Sequence, residues 1–172
     1  MSQLHPIPVS ELHQNVFTAI GKEWMLITAE TEKDGKPTAN TMTASWGGLG
    51  RLWNKDVSFA FIRPQRYTKG FVDNADTFSL CFFGGEKMQE LKYLGTASGR
   101  DEDKIAKSGL TLTHIDGVPC FEEATTVLLC RKMYVQTLRE DCFTDRAVME
   151  NSYPQRDFHD LYVAEVMKVL VK

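Results

Sequence analysis

Most apolar residues of the chain follow the two-residue period of β-strands, and a few segments follow the helical period instead. Runs rich in β-branched and aromatic residues predict strands at Trp24–Ala29, Pro37–Ser45, Val57–Arg63, Thr77–Phe83, Leu110–Ile115, Thr125–Leu138 and Leu161–Val171. The turn residues of Lys33–Lys36 predict a hairpin between the first two of these strands. The pattern therefore predicts six or seven strands.

Three segments carry a helical pattern. An apolar face at helical spacing predicts an N-terminal helix at about residues 10–21, with Ser10 as its N-cap. Thr68 is expected to cap a short helix over Lys69–Ala75. A third pattern covers about residues 86–107 and is interrupted at Gly95–Gly99, which predicts a helical insertion between strands.

Many strands joined by short turns, with few short helices, favour an antiparallel sheet closed into a barrel over a doubly wound parallel sheet. A chain of 172 residues has the size of one domain, so residues 1–172 are expected to form a single, mainly β domain. Gly47, Gly48 and Gly50 are expected to break the second strand. Asp141–Asp160 is expected to be an irregular loop that is long enough to act as a lid or a partner contact.

Composition and charge narrow the possible partners. The chain is 42% hydrophobic and 25% charged, which is typical of a globular domain, and its formal charge of −3 gives no polycationic surface for nucleic acid. The N-terminus lacks a basic start followed by an apolar segment, and no apolar run could span a bilayer, so we expect a cytoplasmic protein without membrane contact. Four cysteines and four histidines lack metal-ligand spacing, which predicts reduced thiols and no metal site.

Positive charge is concentrated in one window. Residues 39–70 carry a net charge of +4, while the remainder of the chain carries −7. Arg63 ends a predicted strand and Pro64 fixes the turn that follows, so Arg66, Thr68 and the free N–H groups of the next helix could converge on one phosphate. The alternative interpretation is an exposed basic loop in which Pro64 only marks a turn.

The segment NTMTASW, Asn40–Trp46, adds a second feature to the same window. On a strand, its threonines and serine face one way, so that Thr41, Thr43 and Ser45 would line one surface. Its small residues would let a flat ring approach the backbone, although threonine is also simply a good strand former. A flat ring and a single phosphate together point to FMN, and the glycine fingerprint of dinucleotide-binding folds is absent.

Four separated motifs carry a resemblance to a known family. NTMTASW, FIRPQRYTKGFVDNADTFSLCFF, LGTASGRDEDK and DFHDLYVAEV resemble, in order and spacing, the flavin reductase-like family of FMN-binding split barrels, which includes flavoredoxin-like proteins. The resemblance covers about Trp24 to Val166. It implies a six-stranded split β-barrel that works as a homodimer and holds FMN in a groove at or near the subunit interface.

The resemblance also implies which residues hold the cofactor. The ring edge would meet the segment from Asn40 to Trp46, in particular Met42, Thr43, Ala44, Ser45 and Trp46. The phosphate would meet Arg63, Gln65, Arg66, Tyr67 and Thr68, although Gln65 departs from the residues common at its position. Phe82 and Phe83 match aromatic positions near the ring or the dimer seam, and Leu94–Lys104, including Ser98, matches a helical insertion that reaches the flavin.

His159 is the candidate catalytic residue, because it lies in the FHDLY segment that the family shows near its C-terminal strand. It could contact the substrate or the flavin edge, or it could only fix the last strand to the long loop. In a flavin enzyme the cofactor carries the hydride chemistry, so the lack of a catalytic triad does not count against one. Two functions stay open: an oxidoreductase that passes electrons from NAD(P)H through FMN to a small-molecule or protein acceptor, and an FMN electron carrier without NAD(P)H turnover.

Overall fold

The computed structural model describes residues 3–172, which form ten strands and five α-helices. The strands are β1 His5–Ile7, β2 Met25–Lys33, β3 Lys36–Ala44, β4 Gly47–Leu52, β5 Lys55–Ile62, β6 Thr77–Phe82, β7 Leu112–Ile115, β8 Val118–Phe121, β9 Thr126–Thr137 and β10 Asp160–Val171. The helices are α1 Val16–Gly21, α2 Tyr67–Asn74, α3 Met88–Thr96, α4 Lys104–Ser108 and α5 Arg146–Ser152.

One antiparallel sheet dominates the fold. Its strand order is β3-β2-β6-β9-β10-β5-β4, with β1 paired to β10, while β7 and β8 form a separate hairpin. The edge strands β3 and β4 stand at opposite ends of this order, yet only Ser45 and Trp46 separate them in the chain. The sheet must therefore curl until its two edges approach each other, which is how a sheet forms a barrel. The expected antiparallel barrel is confirmed.

Apolar side chains pack on both faces of the curled sheet. On β2, Met25 and Ile27 point into the barrel interior, whereas Leu26 belongs to a second cluster on the other face. That outer cluster includes Leu91 of α3 and Phe121 of β8, so the helical insertion and the small hairpin cover the outside of the barrel. Burial of both faces explains why β2 reads as a continuous apolar run in the sequence.

The N-terminal helix expected at residues 10–21 is wrong in its first half. Val9–Glu11 form one turn of 3-10 helix, and α1 begins only at Val16. Asn15 caps this helix, since its Oδ1 accepts a hydrogen bond from the Thr18 N–H at 3.2 Å. Phe17 is 90% exposed, so it is not part of a continuous apolar face. The apolar spacing alone could not show that the chain changes conformation before Asn15.

The glycines expected to break the second strand form a strand of their own. Gly47, Gly48 and Gly50 lie in β4, which pairs with β5. A Cβ atom on Gly47 would lie 2.8 Å from the Phe59 carbonyl oxygen, which is closer than such atoms can approach. These glycines therefore allow close packing on β5 and do not end the sheet.

Other boundaries differ by smaller amounts. β2 begins at Met25, because Trp24 has a left-handed φ of 64°. The expectation of six or seven strands misses the short β1 and β8, which have three and four residues. The helical insertion divides into α3 and α4, but α3 continues through Gly95 to Thr96, so the break covers residues 97–103 and overlaps the expected interruption only at 97–99. None of the helices within residues 3–172 has the length and apolar character needed to cross a lipid bilayer.

Candidate functional site

Two adjoining cavities form a groove where the edges of the sheet approach each other. The strand-end cavity, of about 200 Å³, is lined by Met42, Thr43, Ala44, Ser45, Trp46, Phe61, Arg63, Arg66 and His159. The basic cavity, of about 290 Å³, is lined by Met42, Arg63, Gln65, Arg66, Tyr67, Thr68, Thr96, Ala97, Ser98, Arg100 and Lys104. Because Met42, Arg63 and Arg66 line both, the two cavities lie side by side, and we call them together the groove.

The strand-end cavity lies at the connection between β3 and β4. Pairing of β3 with β2 ends at Ala44, and pairing of β4 with β5 begins at Gly47. Ser45 and Trp46 lie between these two ladders, so their backbone N–H and C=O groups stand outside strand pairing and can serve a ligand. The Trp46 side chain is 46% exposed and its ring centroid lies 5.0 Å from that of His159.

His159 is buried at the inner end of this cavity. Its side chain is 8% exposed, and Nδ1 lies within hydrogen-bond distance, 2.8 Å, of the Tyr153 hydroxyl. Burial, and after it the positive charge of Arg63, lowers the pKa of His159 to about 4. The imidazole is therefore neutral near pH 7, and it can donate or accept a hydrogen bond without adding charge.

Arg63 lines both cavities, but its guanidinium group is held by the long loop between β9 and β10. Arg63 Nη1 donates to Asp157 Oδ2 at 2.5 Å, and Nη2 donates to the Ser152 carbonyl oxygen at 2.8 Å. Gln65 Nε2 donates to the same Asp157 oxygen at 2.8 Å. Hydrogen bonds from Gln65 and Arg63 hold the pKa of Asp157 below its ordinary value. Arg63 and Gln65 thus fix the loop that leads to His159.

Arg66 and Lys104 provide the positive charge of the basic cavity. Arg66 Nη1 donates to the Gly95 carbonyl oxygen at 2.7 Å. The Lys104 residue is only 4% exposed, and its ammonium group donates to the carbonyl oxygens of Leu94 at 2.9 Å and Ala97 at 3.0 Å. Among residues 3–172 no carboxylate forms an ion pair with either cation.

Burial and a neighbouring arginine destabilise the charged form of each of these two cations. Burial and the charge of Arg66 lower the pKa of Lys104 to about 8, and burial together with Arg63 lowers the pKa of Arg66. Desolvated cations without a counter-charge cost free energy, which an anion between them would recover. The basic cavity is therefore electrostatically suited to a phosphate.

The segment after α3 is shaped to fit this cavity. A Cβ atom on Gly99 would lie 2.5 Å from the Asn40 Oδ1 atom and 3.0 Å from the Tyr67 ring, so only glycine fits. Arg100 Nη1 then reaches the Gln65 carbonyl oxygen at 3.2 Å. Arg100 and Lys104 lie within Leu94–Lys104, the segment that the family resemblance placed at the flavin, but only Ser98 of that segment was predicted as a site residue. The signal was present, since both are basic residues within LGTASGRDEDK.

The three hydroxyls predicted on β3 do not line one open surface, although Thr43 and Ser45 are among the residues that line the strand-end cavity. Thr41 is fully buried, and its hydroxyl bonds with Thr28 Oγ1 at 2.8 Å and with the Ile27 carbonyl oxygen at 3.1 Å. Thr43 Oγ1 donates to the Leu91 carbonyl oxygen at 2.5 Å. Of the three hydroxyls only that of Ser45 is exposed. The surface-lining row is therefore wrong, because the helical insertion covers this side of the strand.

The role of Thr68 as a helix cap is also wrong. Helix α2 begins at Tyr67 and its N-cap is Arg66, which makes no side-chain capping bond. The Thr68 hydroxyl is buried, where it accepts from Asn40 Nδ2 at 2.9 Å and donates to the Thr41 carbonyl oxygen at 3.0 Å. Asn40 and Thr68 thus fix α2 against β3 and place Arg66 beside the groove.

Phe82 and Phe83 lie away from the groove. Phe82 is buried in the barrel interior and Phe83 in the outer apolar cluster, and neither lines the groove. The other residues proposed from the sequence lie together, apart from Asn40 just behind the lining. Which of them contact a cofactor stays a prediction. Residues 3–172 contain no cluster of three or more metal-ligating side chains.

The curled antiparallel sheet and its groove define the class of protein, a mainly β split barrel. Residues 17–172 match the family model described as flavin reductase like domain, so the chain belongs to the flavin reductase-like family. The family resemblance predicted from the four motifs is confirmed, and it supports a redox role that involves flavin. None of the curated proteins compared with the chain matches it in sequence.

Solved structures show the same fold. Flavoredoxin of Desulfovibrio vulgaris (Miyazaki F) is 19% identical, with 96% of this chain and 77% of that chain covered and a TM-score of 0.66. An FMN-binding domain of a flavin reductase-like enzyme from Shewanella baltica OS155 is 16% identical, with coverages of 98% and 76% and a TM-score of 0.65. The FMN-binding protein of Thermus thermophilus with bound 1-cyclohex-2-enone is 26% identical, with coverages of 96% and 75% and a TM-score of 0.61.

Proposed function

We propose that the chain is an FMN-dependent oxidoreductase that takes electrons from NAD(P)H and passes them to a small-molecule or protein acceptor. One observation carries the proposal: the basic cavity holds the buried Lys104 and the half-buried Arg66, neither of which is paired with a carboxylate of residues 3–172, directly beside a cavity lined by open backbone. A ligand with one phosphate and one flat polar ring matches both ends. The family to which the chain belongs makes FMN the first candidate.

The basic cavity fits the phosphate of FMN. A phosphate monoester carries close to two negative charges at neutral pH and offers three acceptor oxygens. Arg66 and Lys104 would hold it, since both are positively charged, partly desolvated and lack an ion-pair partner among the described residues. Arg100 lines the same cavity and adds a third cation. Arg63 is less suited, because Asp157 already engages its guanidinium group.

The strand-end cavity fits the ring of the cofactor. Ala44 offers a small side chain, and Ser45 and Trp46 offer backbone donors and acceptors that no neighbouring strand uses. The Trp46 and His159 rings lie 5.0 Å apart at this cavity, and the lowered pKa of His159 leaves its imidazole uncharged near pH 7. When bound, FMN would supply the hydride and electron chemistry. This chain would then contribute binding, orientation and a hydrogen-bonding imidazole that does not repel a hydride donor by charge.

The acceptor is a separate question. The Thermus thermophilus protein binds 1-cyclohex-2-enone, an unsaturated ketone. Trp46, Phe61 and His159 are among the residues that line the strand-end cavity, and a flavin ring bound there would add a flat surface on which a small, flat organic molecule could stack. We propose small unsaturated carbonyl compounds as the first acceptors to assay, together with free flavin.

A homodimer is part of the proposal. Trp53 and Tyr134 are exposed and pack edge to face, with ring centroids 6.0 Å apart. Exposed apolar and aromatic residues on neighbouring elements are typical of a subunit interface. We propose that a second copy of the chain covers this surface and narrows the groove.

The experiment begins with the absorption spectrum of the purified protein before and after addition of FMN. The proposal expects the protein to bind FMN and the bound FMN to bleach within turnover time on anaerobic mixing with NADH or NADPH. A protein that takes up no FMN would overturn the cofactor assignment. A protein that binds FMN but stays oxidised with both nicotinamides would overturn the donor assignment. It would favour an electron carrier that is reduced by another protein.

A further inference from the structure

Tyr153, in the long loop between β9 and β10, places a fixed hydroxyl against His159. The residue is only 3% exposed. Its ring packs on Phe158 and Phe143, with centroids 4.9 Å and 5.9 Å away. The guanidinium carbon of Arg63 lies 5.0 Å from the Tyr153 ring centroid, a distance at which a cation is attracted to the ring. These contacts hold the Tyr153 hydroxyl 2.8 Å from His159 Nδ1.

The direction of this hydrogen bond follows from the hydrogens that the two side chains carry. Burial, and after it Arg63, lowers the pKa of His159, so its imidazole is neutral near pH 7 and carries one ring hydrogen. Burial raises the pKa of Tyr153, so its hydroxyl keeps its hydrogen. Among residues 3–172, that hydroxyl hydrogen has no acceptor other than Nδ1. With the ring hydrogen on Nδ1 it would be buried without an acceptor, whereas with the ring hydrogen on Nε2 both hydrogens can be used.

The Nε2 atom of His159 is free to meet a ligand. It has no hydrogen-bond partner among residues 3–172, where only Nδ1 of this ring is engaged. The side-chain atoms of these residues that are both unpaired and sealed from solvent are Gln14 Oε1 and the Tyr93 hydroxyl, so Nε2 is not sealed. Since His159 lines the strand-end cavity, Nε2 is open to that cavity. The rings of Trp46 and Phe61 flank the imidazole, with centroids 5.0 Å and 6.5 Å away.

We propose that Tyr153 is a positioning residue that keeps the ring hydrogen of His159 on Nε2, where it donates to a carbonyl oxygen in the strand-end cavity. The choice of a carbonyl oxygen rests on the proposed function, because both flavin and the unsaturated ketones proposed as acceptors carry one. A ligand that presents an N–H or O–H group at this point would meet no acceptor on Nε2. The Tyr153–His159 pair thus selects the polarity of the ligand without adding charge.

The first test is nitrogen NMR of the histidine rings in the purified, nitrogen-labelled full chain without flavin, near neutral pH. A ring nitrogen that carries hydrogen differs strongly in chemical shift from one that does not, so the tautomer is observed directly. The His159 signals are those that disappear in His159→Gln. We expect the hydrogen on Nε2 and a hydrogen-bonded nitrogen without hydrogen at Nδ1. A ring hydrogen on Nδ1 would overturn the proposal.

Two matched variants test the part of Tyr153. Tyr153→Phe keeps the ring and removes the hydroxyl, so the Nδ1 signal of His159 should move towards that of a nitrogen without a hydrogen bond. Tyr93→Phe is the control, because it removes a hydroxyl that has no partner among residues 3–172 and lies outside the groove. It should leave the His159 signals unchanged. Unchanged signals of the other histidines would show that both variants are folded, and an unchanged Nδ1 signal in folded Tyr153→Phe would overturn the role of Tyr153.

Ligand titrations then distinguish the two sources of the carbonyl oxygen. Riboflavin is titrated into the flavin-free protein, and 1-cyclohex-2-enone into the FMN-loaded protein. Loss of the oriented donor should weaken at least one of them about fivefold in Tyr153→Phe and neither in Tyr93→Phe. Weaker riboflavin assigns the oxygen to the flavin, whereas weaker enone alone assigns it to the acceptor.

The outcomes separate this inference from the proposed function. Unchanged affinity for both ligands in Tyr153→Phe, or equal losses in Tyr153→Phe and Tyr93→Phe, would overturn the donation to a carbonyl oxygen while FMN binding persists. A failure of the unmodified protein to bind FMN would instead refute the proposed function. The NMR result does not depend on flavin, so it tests the hydrogen bond from Tyr153 to His159 in either case.

Discussion

Replacing Arg66 with alanine separates the two ends of the proposed cofactor site. Arg66 is half-buried and lacks a carboxylate partner within residues 3–172, so its guanidinium group is available to a phosphate. A hydrogen bond to a charged group contributes about 1.5–3 kcal/mol, which corresponds to about a 10- to 150-fold change in affinity. Arg66→Ala should therefore weaken FMN by a factor in this range and leave riboflavin, which has no phosphate, little changed.

The assay is a titration of the flavin-free protein with FMN and with riboflavin, followed by quenching of flavin fluorescence. Arg51→Ala is the matched control, because Arg51 is an exposed arginine that pairs with Asp56 at 2.9 Å outside the groove. Equal losses for FMN and riboflavin in Arg66→Ala would refute the assignment of the phosphate end.

Replacing Arg63 should have a different effect from replacing Arg66, although both arginines belong to the same sequence motif. Its guanidinium group is committed to Asp157 and the Ser152 carbonyl oxygen. Arg63→Ala should therefore weaken FMN and riboflavin to similar extents, because it releases the loop beside the ring end. It should also lower the free energy of unfolding, measured in urea, since Asp157 loses its ion-pair partner. A loss confined to FMN would show that Arg63 leaves Asp157 to bind phosphate.

Three further predictions concern pH and assembly. Because the pKa of Lys104 is lowered to about 8, the charged fraction of its side chain falls from about one half at pH 8 to about one tenth at pH 9, so FMN affinity should fall about fivefold over this range. Lys104→Met should abolish this dependence in titrations at both pH values. The pKa of His159 is lowered to about 4 in the folded protein, so the buried neutral imidazole contributes its full stability only above the unfolded-state pKa of about 6.5. This contribution is lost as the pH falls from about 6.5 towards 4. The midpoint of urea unfolding should therefore fall less over this pH range in His159→Gln than in the unmodified protein. Trp53 is exposed and lies on the proposed dimer surface, so Trp53→Ser should weaken the dimer. The molecular mass measured by light scattering during size-exclusion chromatography should then fall towards that of one chain. An unchanged dimer mass would place the interface elsewhere.

The strands were predictable from local pattern because burial imposes it directly on the sequence. β6 and the first five residues of β9 are predominantly apolar and buried, and the predicted ranges of both strands match the observed ones within a residue at each end. β4 was not predictable, because its glycines give no apolar alternation and owe their place to the Phe59 carbonyl oxygen on the neighbouring strand. The fold class therefore followed from the sequence, whereas strand β4 depends on a contact between strands.

The candidate site, like the fold, could be predicted from the sequence only in part. Residues from Met42 to Trp46 and from Arg63 to Thr68 were recognisable as motifs, and most of them line the groove. The different hydrogen-bond partners of the two arginines could not be predicted. Arg63 donates to Asp157, which lies 94 residues away in the sequence, and Arg66 donates to the carbonyl oxygen of Gly95, which lies 29 residues away. Lys104 could have been suspected from its motif, but its burial and lowered pKa follow only from packing against α3.

The two-residue connection formed by Ser45 and Trp46 has a mechanical consequence. It joins the two edges of the sheet without slack, since β3 ends at Ala44 and β4 begins at Gly47. A ligand bound to this connection would hold the two edge strands of the barrel together. Ligand binding should therefore slow amide hydrogen exchange at the end of β3 and at the start of β4 at the same time. A residue inserted between Ser45 and Trp46 would lengthen the connection and displace the edges of β3 and β4 relative to each other. This connection cannot change its length without opening the barrel. A ring of a different shape would therefore have to be accommodated by changes in side chains that line the cavity, such as Trp46 and Phe61.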